Sequence, residues 1–159
     1  MPYIAPYDRL ISDLKNSRRL WIAGELGYTL AAAARRHAHV GVMTLDMLVP
    51  IPSAQASLNR RGFNPAGEIA RVLSRALRIP LRRDVLTRTR AGFKQSRLGR
   101  AARLDAAAGL FDAAGPLQGK RIGVVDDVMT TGGTVNAAAH ALRERGVAQV
   151  VVLVVARTP

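Results

Sequence analysis

The segment KRIGVVDDVMTTGGT, Lys120 to Thr134, places an apolar run, two acidic residues and a glycine-containing loop within fifteen residues. From Ile122 to Val125 the apolar residues are nearly continuous, which is typical of a strand buried on both faces. The alanine-rich segment after Thr134 has apolar residues at helical spacing. A buried strand, a polar loop and an amphipathic helix in this order are the repeating unit of a parallel α/β sheet.

The rest of the chain continues this alternation. Apolar runs predict five strands, in the segments 44–52 (TLDMLVPIP, with the strand ending near Val49), 83–88 (RDVLTR), 106–111 (AAAGLF), 120–128 (KRIGVVDDV) and 148–156 (AQVVVLVVA, a buried strand). A helix is predicted to begin with Asn64 as its N-cap and Pro65 as its first residue, and to end before Pro80. The segment 53–63 between strand and helix is predicted to be a loop, and Gly115 to Gly119 a turn.

Two further helices are predicted near the N-terminus, because Leu10, Ile11 and Leu14 share one helical face and Leu26, Leu30 and Ala33 share another. We therefore predict an α/β fold, with a parallel twisted sheet flanked by helices. The expected organisation is one domain, consisting of a helical lead-in over residues 1–42 and an α/β core over residues 43–159.

The composition excludes several classes of protein. The longest apolar runs are far shorter than the roughly 20 residues of a membrane span, and the start lacks a signal-peptide pattern, so we expect a cytoplasmic protein without a membrane partner. The 159 residues include no cysteine, which excludes disulfides, thiolate metal sites and cysteine nucleophiles. The three histidines, His37, His39 and His140, form no metal-binding motif.

The formal net charge of +13 is concentrated in one part of the chain. Residues 60–103 contain thirteen Lys and Arg but only two acidic residues, Glu68 and Asp84. Such an excess favours polyanions or phosphorylated ligands as partners. Three of these arginines are interpreted as a solvated helix face: Arg71, Arg75 and Arg78. The polar segment 89–104 is predicted to be a long loop, and loops of this length are commonly functional lids.

The loop after the two acids has the composition of a phosphate site. Unpaired N–H groups at a helix start bind anions, and small residues let that backbone approach a phosphate. The candidate contacts are Met129, Thr130, Thr131, Gly132, Gly133 and Thr134. Asp126 and Asp127 would repel the phosphate itself, but they suit the hydroxyls of an attached sugar or a bridging Mg²⁺. The stretch therefore predicts a phosphorylated sugar as ligand.

Two other phosphate motifs are absent, since the chain contains neither G-x-x-x-x-G-K-[ST] nor G-x-G-x-x-G. The alternative interpretation is that DDVMTTGGT is only an acidic turn with a cap before a helix. A plain cap needs one such residue, whereas this stretch consists almost wholly of acid, hydroxyl and glycine residues.

Residues 124–134, VVDDVMTTGGT, closely resemble the phosphoribosyl pyrophosphate (PRPP) signature of type I phosphoribosyltransferases. The resemblance covers nearly the whole chain. Within this family the chain is similar to the ComF/GntX branch, whose members are linked to competence and DNA uptake. The similarity lies in LVPIP followed by RRGFN, in the glutamine and leucine of KQSRLGRAAR, in the terminal VARTP and in the helical lead-in. The resemblance implies the type I phosphoribosyltransferase fold.

It also implies roles for individual residues. In the family the two acids hold the ribose hydroxyls, with Mg²⁺ bound through the ribose, and the following loop holds the 5′-phosphate. By resemblance these are Asp126 and Asp127, and residues 129–134. In the family the turn after the first strand binds pyrophosphate. By resemblance this turn is residues 51–53, with Pro52 and Ser53 as the binding residues and Arg60 and Arg61 nearby. The basic loop implies a closing lid, whose candidate catalytic residues are Arg88, Arg90, Lys94 and Gln95, with Arg97.

The implied reaction is displacement of pyrophosphate from C1 of Mg²⁺-bound PRPP by a nitrogen nucleophile. Cationic groups beneath a closing lid would stabilise the charge that develops on the leaving pyrophosphate. No general base is evident, and His140 is interpreted as structural because it lies past the first turn of its helix. The acceptor is unidentified. Tyr3, Tyr7 and Trp21 either form a hood over it or, as we prefer, belong to the core or an interface.

Two departures from the branch bear on cofactors and on the loop. Many members begin with a cysteine-rich zinc-ribbon segment that this chain lacks, so we expect no zinc. The usual asparagine late in the basic loop is replaced by Asp105 or Ala106.

The alternative function is a non-catalytic module that keeps the PRPP site while basic residues engage single-stranded DNA or DNA-uptake proteins. Phe63 and Phe93 are the only aromatic residues near the basic loop that could stack on bases, and Phe63 is better interpreted as an anchor in the hydrophobic core. A homodimer is a common assembly of type I folds.

Overall fold

The computed structural model describes residues 2–17, 19–37, 41–89 and 109–158. In chain order the elements are α1 (Tyr7–Ser17), α2 (Trp21–Arg36), a 3-10 turn (Val42–Thr44), β1 (Met47–Pro50), α3 (Gln55–Arg61), α4 (Pro65–Leu77), β2 (Leu86–Arg88), β3 (Phe111–Ala113), β4 (Arg121–Met129), α5 (Gly133–Glu144) and β5 (Gln149–Arg157).

The central sheet is parallel and has the strand order β1-β4-β5. Val124, in the middle strand, lies beside Val49 of β1 and Val152 of β5. Single bridges extend both edges, from Leu48 to Leu81 and from Arg157 to Pro2. The predicted fold class, a parallel sheet flanked by helices and preceded by N-terminal helices, is confirmed.

Helices cover both faces of this sheet. On one face α1, α2 and α4 bury Leu14, Leu26 and Ile69 against Val125 and Leu153. On the other face α5 packs on β4, with β2 and β3 completing the cluster. Successive side chains of a strand point to opposite faces, so from Ile122 to Asp127 the odd-numbered residues of β4 face α1, α2 and α4, and the even-numbered residues face α5. The two acids at the end of β4 are therefore separated between the two faces.

Helices α2 and α4 approach each other closely at Gly27. A Cβ atom at this position would lie 2.7 Å from the Cβ of Val72 and 3.2 Å from the carbonyl oxygen of Ile69. Real side chains do not tolerate the first of these distances, so glycine is required for the observed helix packing.

The second and third predicted strands are wrong in extent and in pairing. The structure has β2 at Leu86–Arg88 and β3 at Phe111–Ala113, joined as a separate antiparallel pair. Residues 106–108 of the third prediction lie outside the described residues. Exposed Arg82 and Asp84 bind each other through two hydrogen bonds, and this turn separates β2 from the edge of the main sheet.

The predicted loop at 53–63 contains helix α3, because Gln55 and Asn59 hydrogen-bond at i,i+4 and Gly62 ends the helix in a left-handed conformation. This helix has no buried residue, so no apolar periodicity announces it. The last strand is also less buried than predicted, since Val152 of β5 is 38% exposed on the α5 side of the sheet. Among the described helices, none has the length and apolar character to cross a bilayer.

Candidate functional site

The carboxyl ends of β1 and β4 meet the starts of α4 and α5 at one edge of the sheet and form a cleft of about 170 Å³. In open α/β sheets this edge is where ligands bind. Seven residues predicted from the sequence line the cleft: Pro52, Ser53, Arg61, Arg88, Asp126, Asp127 and Thr134. The fold thus brings together residues that are up to 82 positions apart in the chain.

The acid on the α1 side of the sheet, Asp127, is only 7% exposed. Its Oδ1 accepts a hydrogen bond of 2.8 Å from the N–H of Val128. Its Oδ2 lies 2.8 Å from the Nζ atom of Lys15, which comes from the last turn of α1. Both carboxylate oxygens of Asp127 therefore already have a partner within the protein.

The acid on the α5 side, Asp126, has a different environment. Burial, followed by the negative charge of Asp127, raises the pKa of Asp126 to about 7. Its Oδ1 accepts a hydrogen bond of 2.9 Å from the N–H of Asp127. Because this pKa lies near neutral pH, the carboxyl can either accept or donate a hydrogen bond to a ligand hydroxyl.

The predicted phosphate loop joins β4 to α5. Gly132 precedes the helix with φ +79°, a left-handed conformation that favours glycine. The base of the loop is fixed because the N–H of Thr158 donates to the carbonyl of Met129 at 3.0 Å. Five of the six predicted contacts line a small depression at the start of α5: Met129, Thr130, Gly132, Gly133 and Thr134. Thr131 is exposed on the same loop.

The turn after β1 is held by the side chain of Asn64. Its Nδ2 donates to the carbonyl of Ile51 at 2.9 Å, and its Oδ1 accepts from the hydroxyl of Ser53 at 2.9 Å. Asn64 does occupy the N-cap position of α4, but its side chain makes no capping hydrogen bond. The predicted helix start is correct, and the side chain instead fixes the turn that contains Pro52.

The predicted cations are distributed unequally. Arg61 lines the cleft, and its Nε atom is buried without a hydrogen-bond partner among the described residues. Arg88 lines it as well, with its guanidinium 5.5 Å from the ring centre of Phe111. Arg60 is exposed on α3 and is not among the described residues that line the cleft. The other loop residues, Arg90, Lys94, Gln95 and Arg97, lie outside the described residues, as does Phe93.

A second cleft of about 450 Å³ adjoins the first and shares Pro52, Ser53 and Arg88 with it. Its other walls include the apolar side chains of Leu58, Leu86 and Leu110. The two clefts together form a groove with a charged end near the acids and an apolar end between α3 and β2.

The remaining sequence candidates lie away from the cleft. Tyr3, Tyr7 and Phe63 are partly buried against the hydrophobic core, whereas Trp21 is 62% exposed. His140 lies on the exposed side of α5, with its Nδ1 atom 3.7 Å from Glu144.

Sequence reasoning missed two polar residues of the site, Lys15 and the side chain of Asn64. Lys15 carries no local signal, because an isolated lysine near the end of an amphipathic helix is usually solvated. Asn64 had a strong local explanation as a helix cap, which concealed its contacts to the turn.

The donor set of the cleft bears on the expected Mg²⁺. The described residues contain no group of three or more His, Cys, Asp or Glu side chains that could hold a metal ion alone. Mg²⁺ is commonly bound by one or two carboxylates together with substrate phosphates and water. Asp126 and Asp127 fit a metal ion that arrives with a phosphorylated ligand.

Comparisons with known proteins agree with this architecture. Residues 56–159 match the model of the phosphoribosyl transferase domain. The chain is 37% identical to the DNA utilization protein YhgH of Escherichia coli K12, over 98% of this chain and 69% of that protein. It is 31% identical to Competence protein F of Haemophilus influenzae, with the same coverage.

Solved structures show the same fold at lower identity. The glutamine PRPP amidotransferase of B. subtilis superposes with a TM-score of 0.57 at 23% identity, over 84% of this chain but only 26% of that one. A purine phosphoribosyltransferase from Pyrococcus horikoshii superposes with a TM-score of 0.50 at 19% identity, over 87% and 75% of the two chains. The chain belongs to the phosphoribosyltransferase domain family, in its ComF-like type I branch.

Proposed function

We propose that this chain binds PRPP in the cleft and transfers its phosphoribosyl group to a nitrogen acceptor, with release of pyrophosphate. The observation that carries the proposal is that three groups of predicted residues meet at the carboxyl ends of the strands, and we assign each group to one part of the ligand. These are the loop at 129–134 for the 5′-phosphate, Asp126 and Asp127 for the ribose, and the turn at 51–53 for the pyrophosphate.

The arrangement matches the order of groups along the ligand. The loop at the start of α5 offers backbone N–H groups and threonine hydroxyls to a terminal phosphate. Asp126 faces the same side of the sheet as this loop, so its carboxyl is placed to accept hydrogen bonds from the ribose hydroxyls, which lie next to the 5′-phosphate in the ligand. Mg²⁺, when bound with PRPP, would neutralise charge on the pyrophosphate, and Asp126 and Asp127 would hold it through the ribose.

In the transfer, the bond between C1 and the pyrophosphate oxygen breaks and its electron pair leaves with the pyrophosphate. The nitrogen lone pair forms the new bond to C1. Arg61 and Arg88 line the cleft beside the turn and are placed to stabilise the departing charge. The apolar end of the groove, with Leu58, Leu86 and Leu110, is the place where a planar acceptor would lie against C1.

The test is PRPP- and Mg²⁺-dependent release of pyrophosphate across a panel of nucleobases and amines. We expect release with at least one acceptor, and its loss in the double variant Asp126→Asn/Asp127→Asn. Lys120→Met, a replacement at the amino ends of the strands and away from the cleft, serves as the control and should keep the wild-type rate. Release that continues undiminished in the double variant would exclude this site as its source.

A second candidate function is a module that acts with DNA or with DNA-uptake proteins, and it is favoured by the relatives named for DNA utilization and competence. The net charge of +13 supports contact with a phosphate backbone. Fluorescence anisotropy with single-stranded DNA at increasing salt tests it. Affinity should fall steeply with salt and on replacement of Arg88, Arg90, Lys94 and Arg97 by alanine, and an affinity independent of these residues would contradict it.

A further inference from the structure

Helix α1 contributes a cation to the cleft that neither the sequence pattern nor the family resemblance assigned. Lys15 lies in its last turn, and the side chain is 28% exposed where it lines the cleft together with Ser53 and Arg61. We propose that Lys15 binds the pyrophosphate part of the ligand, so that α1 completes the site. The inference rests on the proposed function, because it assigns a further residue to the same site.

The contacts of Lys15 leave it able to bind a ligand. An ammonium group has three N–H donors. Within the part of the chain that the structure describes, Asp127 is the single acceptor within ion-pair distance, at 2.8 Å. Two donors therefore remain for ligand oxygens while the bond to Asp127 persists. Asp127 in turn is oriented by the N–H of Val128, so this ion pair places the ammonium at a defined position in the cleft.

The charges around the cleft also require a cation at this position. Asp126 and Asp127 are adjacent to the turn at 51–53, and unscreened carboxylates would repel a pyrophosphate bound there. Lys15 neutralises Asp127 from the α1 side, and Arg61, whose buried Nε has no hydrogen-bond partner among the described residues, lines the same cleft. Since the cleft is only about 170 Å³, a diphosphate lying in it comes within reach of both cations.

Two probes separate the ends of the site: inorganic pyrophosphate, which lacks the sugar, and ribose 5-phosphate, which lacks the diphosphate. Calorimetric titration of Lys15→Met should show an affinity for pyrophosphate about tenfold or more below wild type, because a charge-assisted hydrogen bond is lost. The affinity for ribose 5-phosphate should change less than about twofold, since that ligand binds at α5.

The matched control is Lys120→Met. Lys120 forms the corresponding lysine–aspartate pair at the opposite edge of the sheet, with its Nζ 3.7 Å from Asp46, so this variant removes the same charge far from the cleft. It should bind both probes as wild type does. Lys15→Arg keeps the charge and should recover most of the pyrophosphate affinity. An equal loss of both probes in Lys15→Met, or the same loss of pyrophosphate binding in Lys120→Met, would overturn the inference.

A measurement on the wild-type chain tests the inference even where Lys15→Met fails to fold. Pyrophosphate should slow hydrogen exchange in α1, and ribose 5-phosphate should not. Unchanged exchange in α1 under saturating pyrophosphate would refute the role of Lys15. Wild-type protein that binds pyrophosphate through Lys15 but neither ribose 5-phosphate nor PRPP would instead refute the proposed function. PRPP binding that is insensitive to Lys15→Met would leave the function standing and remove this inference.

Discussion

Replacement of Asp126 by asparagine should change the dependence of stability on pH. Burial and the charge of Asp127 raise the pKa of Asp126 from 3.8 to about 7 in the folded protein. One pKa unit corresponds to about 1.4 kcal/mol, so ionising this carboxyl in the fold costs about 4 kcal/mol relative to the unfolded chain. Asparagine has nearly the same shape and does not ionise.

The sign of this pH dependence follows from the number of protons that the folded and unfolded states bind. Between pH 4 and pH 7 the folded protein holds a proton on Asp126 that the unfolded chain has released, so wild-type stability falls as the pH rises through this window. Asp126→Asn removes this dependence. Its advantage over wild type should therefore be small near pH 4 and should grow to about 2–4 kcal/mol at pH 8.

Urea unfolding of both proteins at half-unit steps from pH 4 to pH 8 measures this difference. Asp84→Asn is a useful contrast, because Arg82 lowers the pKa of the exposed Asp84 to about 2; that variant should lose stability, and the loss should change little from pH 5 to pH 8. A difference between wild type and Asp126→Asn that stays constant over the whole range would refute the reasoning. A difference that grows toward low pH would also refute it.

Three further predictions concern the packing and the two loops of the site. Gly27→Ala should lower the free energy of unfolding by about 1–3 kcal/mol, because the added methyl group overpacks the contact with Val72. A double-mutant cycle measured by urea unfolding should show that Val72→Ala costs less stability in the Gly27→Ala protein than in wild type. Gly132→Ala should lower stability by about 1–2 kcal/mol, because φ is +79° there, and should weaken calorimetric binding of ribose 5-phosphate; unchanged binding would argue against the loop as a phosphate site. Asn64→Ala should cost about 1–3 kcal/mol and weaken pyrophosphate binding more than ribose 5-phosphate binding, since the carbonyl of Ile51 and the hydroxyl of Ser53 lose their partner; equal effects on both ligands would contradict this.

The parts of the fold that the sequence predicted well are those with strong local patterns. The run from Ile122 to Val125 is buried in the middle strand, and the helix after Gly132 has its apolar face where the spacing placed it. In both cases burial on a parallel sheet requires a continuous or periodic apolar pattern, so the pattern and the structure coincide.

The parts that failed depend on partners far away in the chain. The first and last residues of β2 and β3 are set by pairing between residues more than 20 positions apart. Strands of three residues are too short for an alternating apolar pattern that would predict these bounds. Helix α3 is stabilised by a local hydrogen bond between Gln55 and Asn59 and has no buried apolar residue, so no apolar pattern indicates it. Lys15 reaches Asp127 across 112 positions, and no spacing within either segment indicates that contact.

Binding of PRPP in the cleft at the ends of β1 and β4 can be measured by calorimetric titration with PRPP, with and without Mg²⁺. We expect saturable binding with one ligand per chain, tighter in the presence of Mg²⁺ and weakened at least tenfold in Asp126→Asn/Asp127→Asn. A wild-type titration without binding heat, repeated at a second temperature so that a near-zero enthalpy does not conceal binding, would contradict it. So would an affinity that the double variant retains in full.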